Sequence, residues 1–223
     1  MPASVELSLH GRRFSACWLA AALAGCASLG PDGPRTLEQE VQAGVERSPS
    51  PVALPVCHGY GCYGRTLVTL SAAEWREVRA MFSPPPADGT TERARIAETV
   101  GLLERMIGPK TGTAGDLPGT PFAMNDLGQL DCVDESINTS TYLHLMEQSG
   151  LLRYNTVRDL RRRTRFFGLA QHYTAVVEDK ATGRQYAIDS WFHANGKPAE
   201  VVELDRWLAG WDPGDDVQAA RRD

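Results

Sequence analysis

Two stretches of alternating polar and apolar residues, 172–178 and 184–191, do most to constrain what this chain can fold into. The segment between them is short, polar and ends in glycine, which is typical of a β-hairpin turn. A four-residue loop would pair Asp179 with Arg184 across two antiparallel strands. Because side chains alternate between the faces of a strand, this register gathers apolar residues on one face. These residues are Tyr173, Ala175, Val177, Tyr186 and Ile188.

The same register predicts which polar side chains meet on the other face of the hairpin. His172 and Asp189 lie there as diagonal neighbours, with Thr174 and Gln185 beside them. A five-residue loop would reverse the parity of one strand and separate the imidazole from the carboxylate. The apolar pattern favours the four-residue loop, and we therefore predict that His172 and Asp189 are in contact.

The segments before and after the hairpin carry helical signals. Ser71-Ala72-Ala73-Glu74 is a capping box, in which serine and glutamate side chains satisfy each other's backbone N–H groups at the start of a helix. Elsewhere, apolar residues recur at helical spacing. Helices packed on a small antiparallel sheet make an α+β fold. We predict helices over 71–82, 92–107, 131–148 and 201–211, and a further strand over 65–70.

The third of these helices begins at a cysteine. Asp131 takes its N-cap position and Asp134 its third position, which places Cys132 in the first turn. The unpaired N–H groups and the helix dipole at this end stabilise a thiolate and can bind an oxyanion. Nearby carboxylates oppose this by raising the thiol pKa. A nucleophilic Cys132 therefore needs a positive partner, of which imidazolium is the usual one.

These residues together form a Cys-His-Asp set. Cys132 is the candidate nucleophile, His172 its base, and Asp189 the group that holds one tautomer of the imidazole. Such a site performs acyl transfer through a thioester, either hydrolysing a peptide or amide bond or passing the acyl group to an amine. Taken by itself, a cysteine such as Cys132 is more often a small buried apolar residue than a nucleophile.

The order of these residues resembles the transglutaminase-like branch of the papain-like cysteine hydrolases, over about residues 92–211. Asp131-Cys132-Val133-Asp134 is similar to that family's nucleophile turn, the segment 172–177 to its histidine strand, and Ile188-Asp189-Ser190-Trp191 to its acid strand. The resemblance implies a papain-like core and a cysteine peptidase, amidase or acyltransferase. Gln129 and the N–H of Cys132 are candidate oxyanion donors. The chain also resembles a group of bacterial lipoproteins, which implies no activity.

The amino terminus has the features of a bacterial lipoprotein signal. Arg12 and Arg13 precede an apolar run over 14–23 that is too short to span a bilayer. The run ends in Leu23-Ala24-Gly25-Cys26, which matches the lipobox. We therefore predict cleavage before Cys26 and acylation of its thiol with chains such as palmitate. Alanine rather than aspartate after this cysteine favours the outer membrane, on the side that faces the periplasm.

The predicted organisation follows from this signal. It comprises a signal peptide over 1–25, a lipidated cysteine and flexible tether over 26–55, one domain over 56–211 and a polar tail over 212–223. An ordinary secretory signal or an uncleaved anchor is the alternative for the first segment. The expected location is the cell envelope, where the substrate would be a protein or a peptidoglycan peptide. The alternative to an enzyme is a non-catalytic lipoprotein that binds a partner or the cell wall.

The remaining cysteines and the charge balance narrow the function further. Cys57 and Cys62 are expected to form a disulfide in an oxidising compartment, against the alternative of a partial metal site with His58. The formal net charge of -5 does not suit nucleic-acid binding, and we predict no metal or cofactor. A basic run is expected to be a solvated strand edge, or else a contact for anionic polymer or lipid head groups. It contains Arg161, Arg162, Arg163 and Arg165.

Overall fold

The computed structural model describes residues 35–120, 126–165 and 170–215, without side chains over 165–170. The predicted signal peptide, Cys26 and the end of the predicted tail lie outside the described residues. The helices are α1 (Leu37–Ala43), α2 (Ala72–Ala80), α3 (Gly89–Thr111), α4 (Cys132–Gln148) and α5 (Leu204–Leu208). The strands are β1 (Leu54–His58), β2 (Gly64–Val68), β3 (Asn155–Arg165), β4 (Ala170–Asp179), β5 (Gln185–Asp189) and β6 (Glu200–Glu203). No helix in the described ranges is long and apolar enough to cross a membrane.

The strands form two antiparallel sheets. β1 and β2 make a two-stranded ribbon, whereas β3, β4, β5 and β6 make a four-stranded sheet in chain order. In the hairpin of β4 and β5, Ala175 pairs with Ile188, and the Asp179 N–H donates to the Arg184 carbonyl oxygen at 2.8 Å. This is the register of the four-residue loop, which is therefore confirmed. Helices together with small antiparallel sheets make the mixed α and β fold that the sequence predicted.

Helix α4 contacts β4 and β3 of the large sheet and β1 of the small one. Every residue over 134–143 is buried, although five of these ten are serine, threonine or asparagine. Small side chains let the sheets approach the helix closely, and their polar groups find partners inside the protein. The Asn138 side-chain amide, for example, bonds both the N–H and the carbonyl of Cys57, at 2.7 and 2.9 Å. The start of α4 is thereby held close to the small sheet.

The folded unit begins earlier than the sequence predicted. The described residues from Thr36 onwards group as one unit, whereas the prediction placed a tether up to residue 55. Helix α1 buries Val41 and Val45, and the Gln42 side chain accepts a hydrogen bond from the Leu160 N–H at 2.7 Å. Proline and glycine on both sides of this helix suggested a tether, but two buried valines are enough to dock it. The start of the domain is therefore corrected from residue 56 to residue 36.

The carboxyl-terminal segment also differs from its prediction. In place of one helix over 201–211, β6 pairs with β5, with Val201 opposite Ile188, and only the residues of α5 are helical. Pairing with β6 covers an edge of β5 that would otherwise expose unpaired backbone groups. The strand therefore prevails over the short helical pattern. It also sets the position of α5, whose Trp207 is fully buried.

A buried carboxylate joins α3 to the start of β3. Glu92 has no exposed surface, and it accepts hydrogen bonds from the N–H groups of Arg153, Tyr154 and Asn155 at 2.7 to 3.1 Å. The side-chain amide of Asn155 adds another at 2.9 Å. One charged group thus satisfies several buried donors. These hydrogen bonds fix the start of β3 against the first turn of α3.

We expect Glu92→Gln to lower the free energy of unfolding by about 2–4 kcal/mol, because it removes a charged acceptor and leaves buried N–H groups without a partner. Urea unfolding followed by circular dichroism measures this change. Glu98→Gln on the exposed side of the same helix is the matched control, with an expected change within about 0.5 kcal/mol. Equal unfolding midpoints for the two variants would contradict this role of Glu92.

Candidate active site

The histidine on β4 and the aspartate on β5 meet as the sequence predicted. His172 Nε2 lies 2.7 Å from Asp189 Oδ2, and the Asp189 side chain is 2% exposed. Trp207 of α5 donates its indole N–H to the same oxygen at 2.8 Å. A carboxylate only accepts hydrogen bonds, so Nε2 carries the proton in this pair and Nδ1 is the acceptor of the neutral ring. That Nδ1 is buried and has no hydrogen-bond partner.

Aromatic rings surround the imidazole. The ring centroids of Trp191, Phe192 and Trp207 lie 4.7, 5.4 and 5.4 Å from that of His172. Such contacts restrict the orientation of the imidazole and leave it little exposed surface. None of these three aromatic residues was among the predicted catalytic residues. Because the aromatic contacts come from a loop and a helix that follow the hairpin, strand alternation could not show them.

Arg163 contradicts the interpretation of the basic run as a solvated edge. It pairs with His172 across β3 and β4, and its side chain is buried. Its guanidinium lies 4.4 Å from the Trp207 ring centroid and donates to the carbonyls of Trp207 and Trp211 at 2.6 and 2.7 Å. Arg163 therefore holds α5 against the sheet, whereas Arg161 is exposed as expected. The side chain of Arg165 lies outside the described residues.

Cys132 opens α4 as predicted, but its thiol is protonated at rest. Its Sγ lies 3.7 Å from the carbonyl oxygen of Gln171, the residue before the candidate base. Burial, together with the charges of Asp131 and Asp189, raises the pKa of the Cys132 thiol to about 12, and the Tyr173 N–H acts in the opposite direction. The expected stabilisation of a thiolate by the helix end is therefore outweighed by desolvation. In this state the thiol donates to a backbone carbonyl, and the imidazole Nδ1 stays unpaired.

Gln129, the predicted oxyanion donor, is engaged elsewhere. Its Nε2 donates to the Gly115 carbonyl at 3.1 Å, and its Oε1 accepts from the Leu117 N–H at 3.0 Å. The side chain thus holds the loop that precedes α4, and this arrangement does not supply the predicted donor. The backbone N–H groups of Cys132 and Tyr173, which both lower the Cys132 pKa, are the donors directed at the sulfur. The Cys132 N–H was predicted from its place at a helix start, whereas the Tyr173 N–H belongs to a strand and was missed.

The two other cysteines of the described residues are joined. A disulfide links Cys57 and Cys62, as the sequence predicted, and Cys132 is the free cysteine. A carboxylate oxygen of Asp134 and the two disulfide sulfurs lie within 4.8 Å of one another. Among the described residues, these three form the group whose spacing would suit a metal ion. Because the sulfurs are bonded to each other, they have no thiolate to offer a metal.

Two buried glutamates behind the acid strand were not predicted. Glu135 of α4 accepts from the Ser190 hydroxyl at 2.6 Å, and Glu104 of α3 accepts from the Gly196 N–H at 2.8 Å. Burial raises the pKa of Glu104 to about 8, and burial together with the charge of Glu104 raises the pKa of Glu135 well above its ordinary value. Both residues lie on helices whose periodicity was judged from apolar residues alone, so the sequence gave no reason to place them inside.

A groove runs beside the aromatic residues of the site. It has a volume of about 540 Å³ and shares Phe192 with the ring cluster around His172. Its lining is mainly apolar, and it also includes a hydrogen bond in which His193 Nε2 lies 2.8 Å from Glu200 Oε1. Its volume falls in the range of pockets that hold a small ligand or part of a chain. The apolar and charged lining includes Pro118, Lys197 and Pro198.

Titration of Glu104 predicts a loss of stability as the pH rises from about 4.5 to about 8. Its pKa rises from 4.5 to about 8 on folding, so the folded protein holds a proton that the unfolded chain releases. The stabilisation is complete below the lower value and is lost as the pH rises through the higher one. Because one pKa unit corresponds to about 1.4 kcal/mol, we expect a decrease on the order of a few kcal/mol across this window.

The variant Glu104→Gln should flatten this dependence, since a neutral amide does not titrate. The measurement is the urea-unfolding free energy at several pH values between about 5 and 9, for this variant and for Glu98→Gln as the control. Parallel curves for the two variants would show that Glu104 does not hold the extra proton.

Comparison of the chain with known proteins found no match. No family model matches the chain, and neither the curated proteins nor the solved structures gave a match. The resemblance to transglutaminase-like enzymes therefore rests on the residues themselves. The geometry of Cys132, His172 and Asp189 is what bears on the chemistry of this site.

Proposed function

We propose that this protein is an acyl-transfer enzyme that uses Cys132 as nucleophile and acts on a peptide or protein amide through a thioester. The observation that carries the proposal is the state of His172. Its Nε2 is held by a buried carboxylate at 2.7 Å, and its Nδ1 is a buried acceptor without a partner. A base with one nitrogen oriented and the other unoccupied is what a thiol needs to lose its proton.

The arrangement of elements supports a papain-like core of the transglutaminase-like kind. The nucleophile lies in the first turn of α4, which contacts the sheet strand that carries His172. The next strand, β5, carries Asp189. This order of helix, histidine strand and acid strand is the one that the sequence resemblance implied.

The proposed reaction begins with movement of the Cys132 thiol from the Gln171 carbonyl to His172 Nδ1. His172 takes the proton as Sγ attacks the substrate carbonyl carbon. The resulting oxyanion accepts a hydrogen bond from the Cys132 N–H. The imidazolium then protonates the leaving amine as the carbon–nitrogen bond breaks, which leaves a thioester on Cys132. Water or a second amine, deprotonated by His172, attacks the thioester and restores the thiol. Asp189 stabilises the charged imidazolium in both halves.

The groove beside Phe192 supports a peptide as the substrate. Its mainly apolar lining and its charged rim suit a chain with both apolar side chains and polar backbone groups. Because Phe192 also contacts the imidazole ring, a chain in this groove would bring its backbone close to the base. A protein segment and a peptidoglycan peptide both have this chemistry.

Acylation of Cys132 by p-nitrophenyl acetate tests the proposal. The protein is the full chain in detergent with Cys17→Ser and Cys26→Ser, so that the free thiol is Cys132. We expect release of p-nitrophenolate together with an acetyl thioester on Cys132, identified by peptide mass spectrometry. Without its base the thiol stays protonated, so His172→Ala should slow acylation by about 10²–10⁴-fold.

His144→Gln is the matched control for that variant. His144 lies on the same helix as Cys132 and pairs with Glu147 at 3.7 Å, away from the candidate site. It should acylate at the parent rate. Equal acylation rates for the parent and His172→Ala would refute the proposed enzyme, because His172 would then not assist the attack by Cys132.

One observation favours a second function, that of a non-catalytic envelope protein that binds a partner or the cell wall. The thiol is bonded to a backbone carbonyl, its pKa is about 12, and His172 is enclosed by aromatic rings. A closed site of this kind can serve structure alone. If acylation does not depend on His172, sedimentation with purified cell wall is the test of this function.

We also propose that the protein is attached to the outer membrane, facing the periplasm, through a lipid on Cys26. Support comes from the lipobox over 23–26 and from the Cys57–Cys62 disulfide, which fits an oxidising compartment. We expect labelled palmitate to be incorporated by the full chain in a host with two membranes and to be lost in Cys26→Ala. Cys17→Ala is the control and should keep the label. Label that persists in Cys26→Ala would contradict the anchor.

A further inference from the structure

The turn between β1 and β2 has an unusual backbone. Gly59, Tyr60, Gly61 and Cys62 follow one another with φ values of 79°, 69°, 62° and 59°. Glycine adopts such angles freely, but Tyr60 and Cys62 do so at a cost in free energy. The Cys57–Cys62 disulfide closes the turn and holds it in this form. A run of left-handed residues directs successive N–H groups into one concave site for an anion.

Two carboxylates from the start of α4 occupy that site. Asp134 accepts from the N–H groups of Tyr60 and Cys62 at 2.8 and 2.7 Å, one on each carboxylate oxygen. Asp131 accepts from the Gly61 N–H at 3.0 Å. Asp134 has no exposed surface, so the backbone of the turn replaces the water that this carboxylate would otherwise bind.

The same two carboxylates define the first turn of α4. Asp131 Oδ1 accepts from the N–H groups of Val133 and Asp134 at 3.0 and 2.9 Å, and Asp134 Oδ2 accepts from the Asp131 N–H at 3.3 Å. Cys132 and Val133 lie between them in this capping box. The backbone of Cys132 cannot shift without breaking bonds that tie Asp131 and Asp134 to the turn.

We infer that Asp134 is a positioning residue for Cys132, and that it holds the thiol in place only while the Cys57–Cys62 disulfide keeps the turn closed. The inference rests on the proposed thiol chemistry and adds redox control to it. Opening the disulfide removes the link that opposes the unfavourable angles of Tyr60 and Cys62. The N–H groups of Tyr60 and Cys62 then move apart, and Asp134 loses the hydrogen bonds that compensate for its burial.

Opening requires a two-electron reductant of the dithiol class. Its thiolate attacks Sγ of Cys62, which is more exposed than the buried Cys57, and Cys57 leaves as a thiolate that takes up a proton. The second thiolate of the reductant attacks its own sulfur in the mixed disulfide and releases Cys62, which is protonated in turn. The dithiol is oxidised to a disulfide, and Cys57 and Cys62 are both reduced to thiols.

The test compares two reactions of Cys132 in the full chain with Cys17→Ser and Cys26→Ser. The first is iodoacetamide alkylation, which reports exposure and ionisation of the thiol. The second is the His172-dependent part of acylation by p-nitrophenyl acetate, obtained by subtracting the rate of His172→Ala. In Cys57→Ser/Cys62→Ser, which cannot close the turn covalently, we expect alkylation to rise about tenfold or more, because the thiol pKa moves from about 12 towards that of a free thiol. The His172-dependent acylation should fall.

Asp134→Asn provides the second variant, in which the disulfide stays closed. An amide has one acceptor oxygen in place of two, so it cannot bind both Tyr60 and Cys62. The same opposite changes in alkylation and acylation are expected. Because unfolding would also expose the thiol and abolish acylation, both rates are compared only where the circular dichroism and the urea-unfolding midpoint show the variant to be folded. Asp88→Asn, at the N-cap of α3, is the matched control and should leave both rates of Cys132 unchanged.

Alkylation tests this inference independently of the proposed enzyme activity, because it reports only the exposure and ionisation of the thiol. If the parent shows no acylation but alkylation rises in both variants, the positioning stands and the enzyme fails. Treatment of the parent with dithiothreitol should reproduce the rise, and reoxidation should reverse it. Alkylation that is the same in the parent, the double serine variant and Asp134→Asn would overturn the inference.

Discussion

The hydrogen bond between His172 and Asp189 depends on a pairing register that one added or deleted residue in the hairpin would destroy. Both side chains lie on the face of the sheet that an isolated hairpin would expose to water. Here α5 covers that face, and Trp207 binds the same carboxylate oxygen as the imidazole. Arg163 in turn holds α5 through the carbonyls of Trp207 and Trp211. The polar pair is thus buried because a strand and a helix after the hairpin fold back over it.

The contrast between these residues shows what the sequence could reveal. Strand alternation has a period of two, so the contact of His172 with Asp189 followed from counting residues across a short loop. Trp207 and Arg163 reach the site from other elements, and no local pattern encodes that meeting. The basic run was misjudged for the same reason, since its charge suggested solvent while the fold supplies buried carbonyls. The docking of α1 likewise depends on contacts with residues more than 90 positions away in the chain, such as Thr141 with the Glu46 that follows α1.

At the nucleophile, the sequence identified the forces correctly but not their balance. The helix end and the carboxylates near Cys132 were both recognised, but their relative strength depends on how much water reaches the sulfur. The structure places Sγ where desolvation is the largest effect on its pKa. Burial of this kind depends on the packing of α4 against the sheets. A helix rich in serine, threonine and asparagine gave only a weak indication of such packing.

The protonated thiol bears directly on how such a site could work. An ion pair between thiolate and imidazolium would require two charges in a space walled by Trp191, Phe192 and Trp207, where desolvation is costly. A protonated thiol that donates to the Gln171 carbonyl carries no charge and avoids that cost in the resting state. Asp189 still fixes the proton on Nε2, so Nδ1 is ready to accept a proton when a carbonyl carbon is within reach of sulfur. Charge then develops only as the new bond forms, where the N–H groups of the helix end can stabilise it.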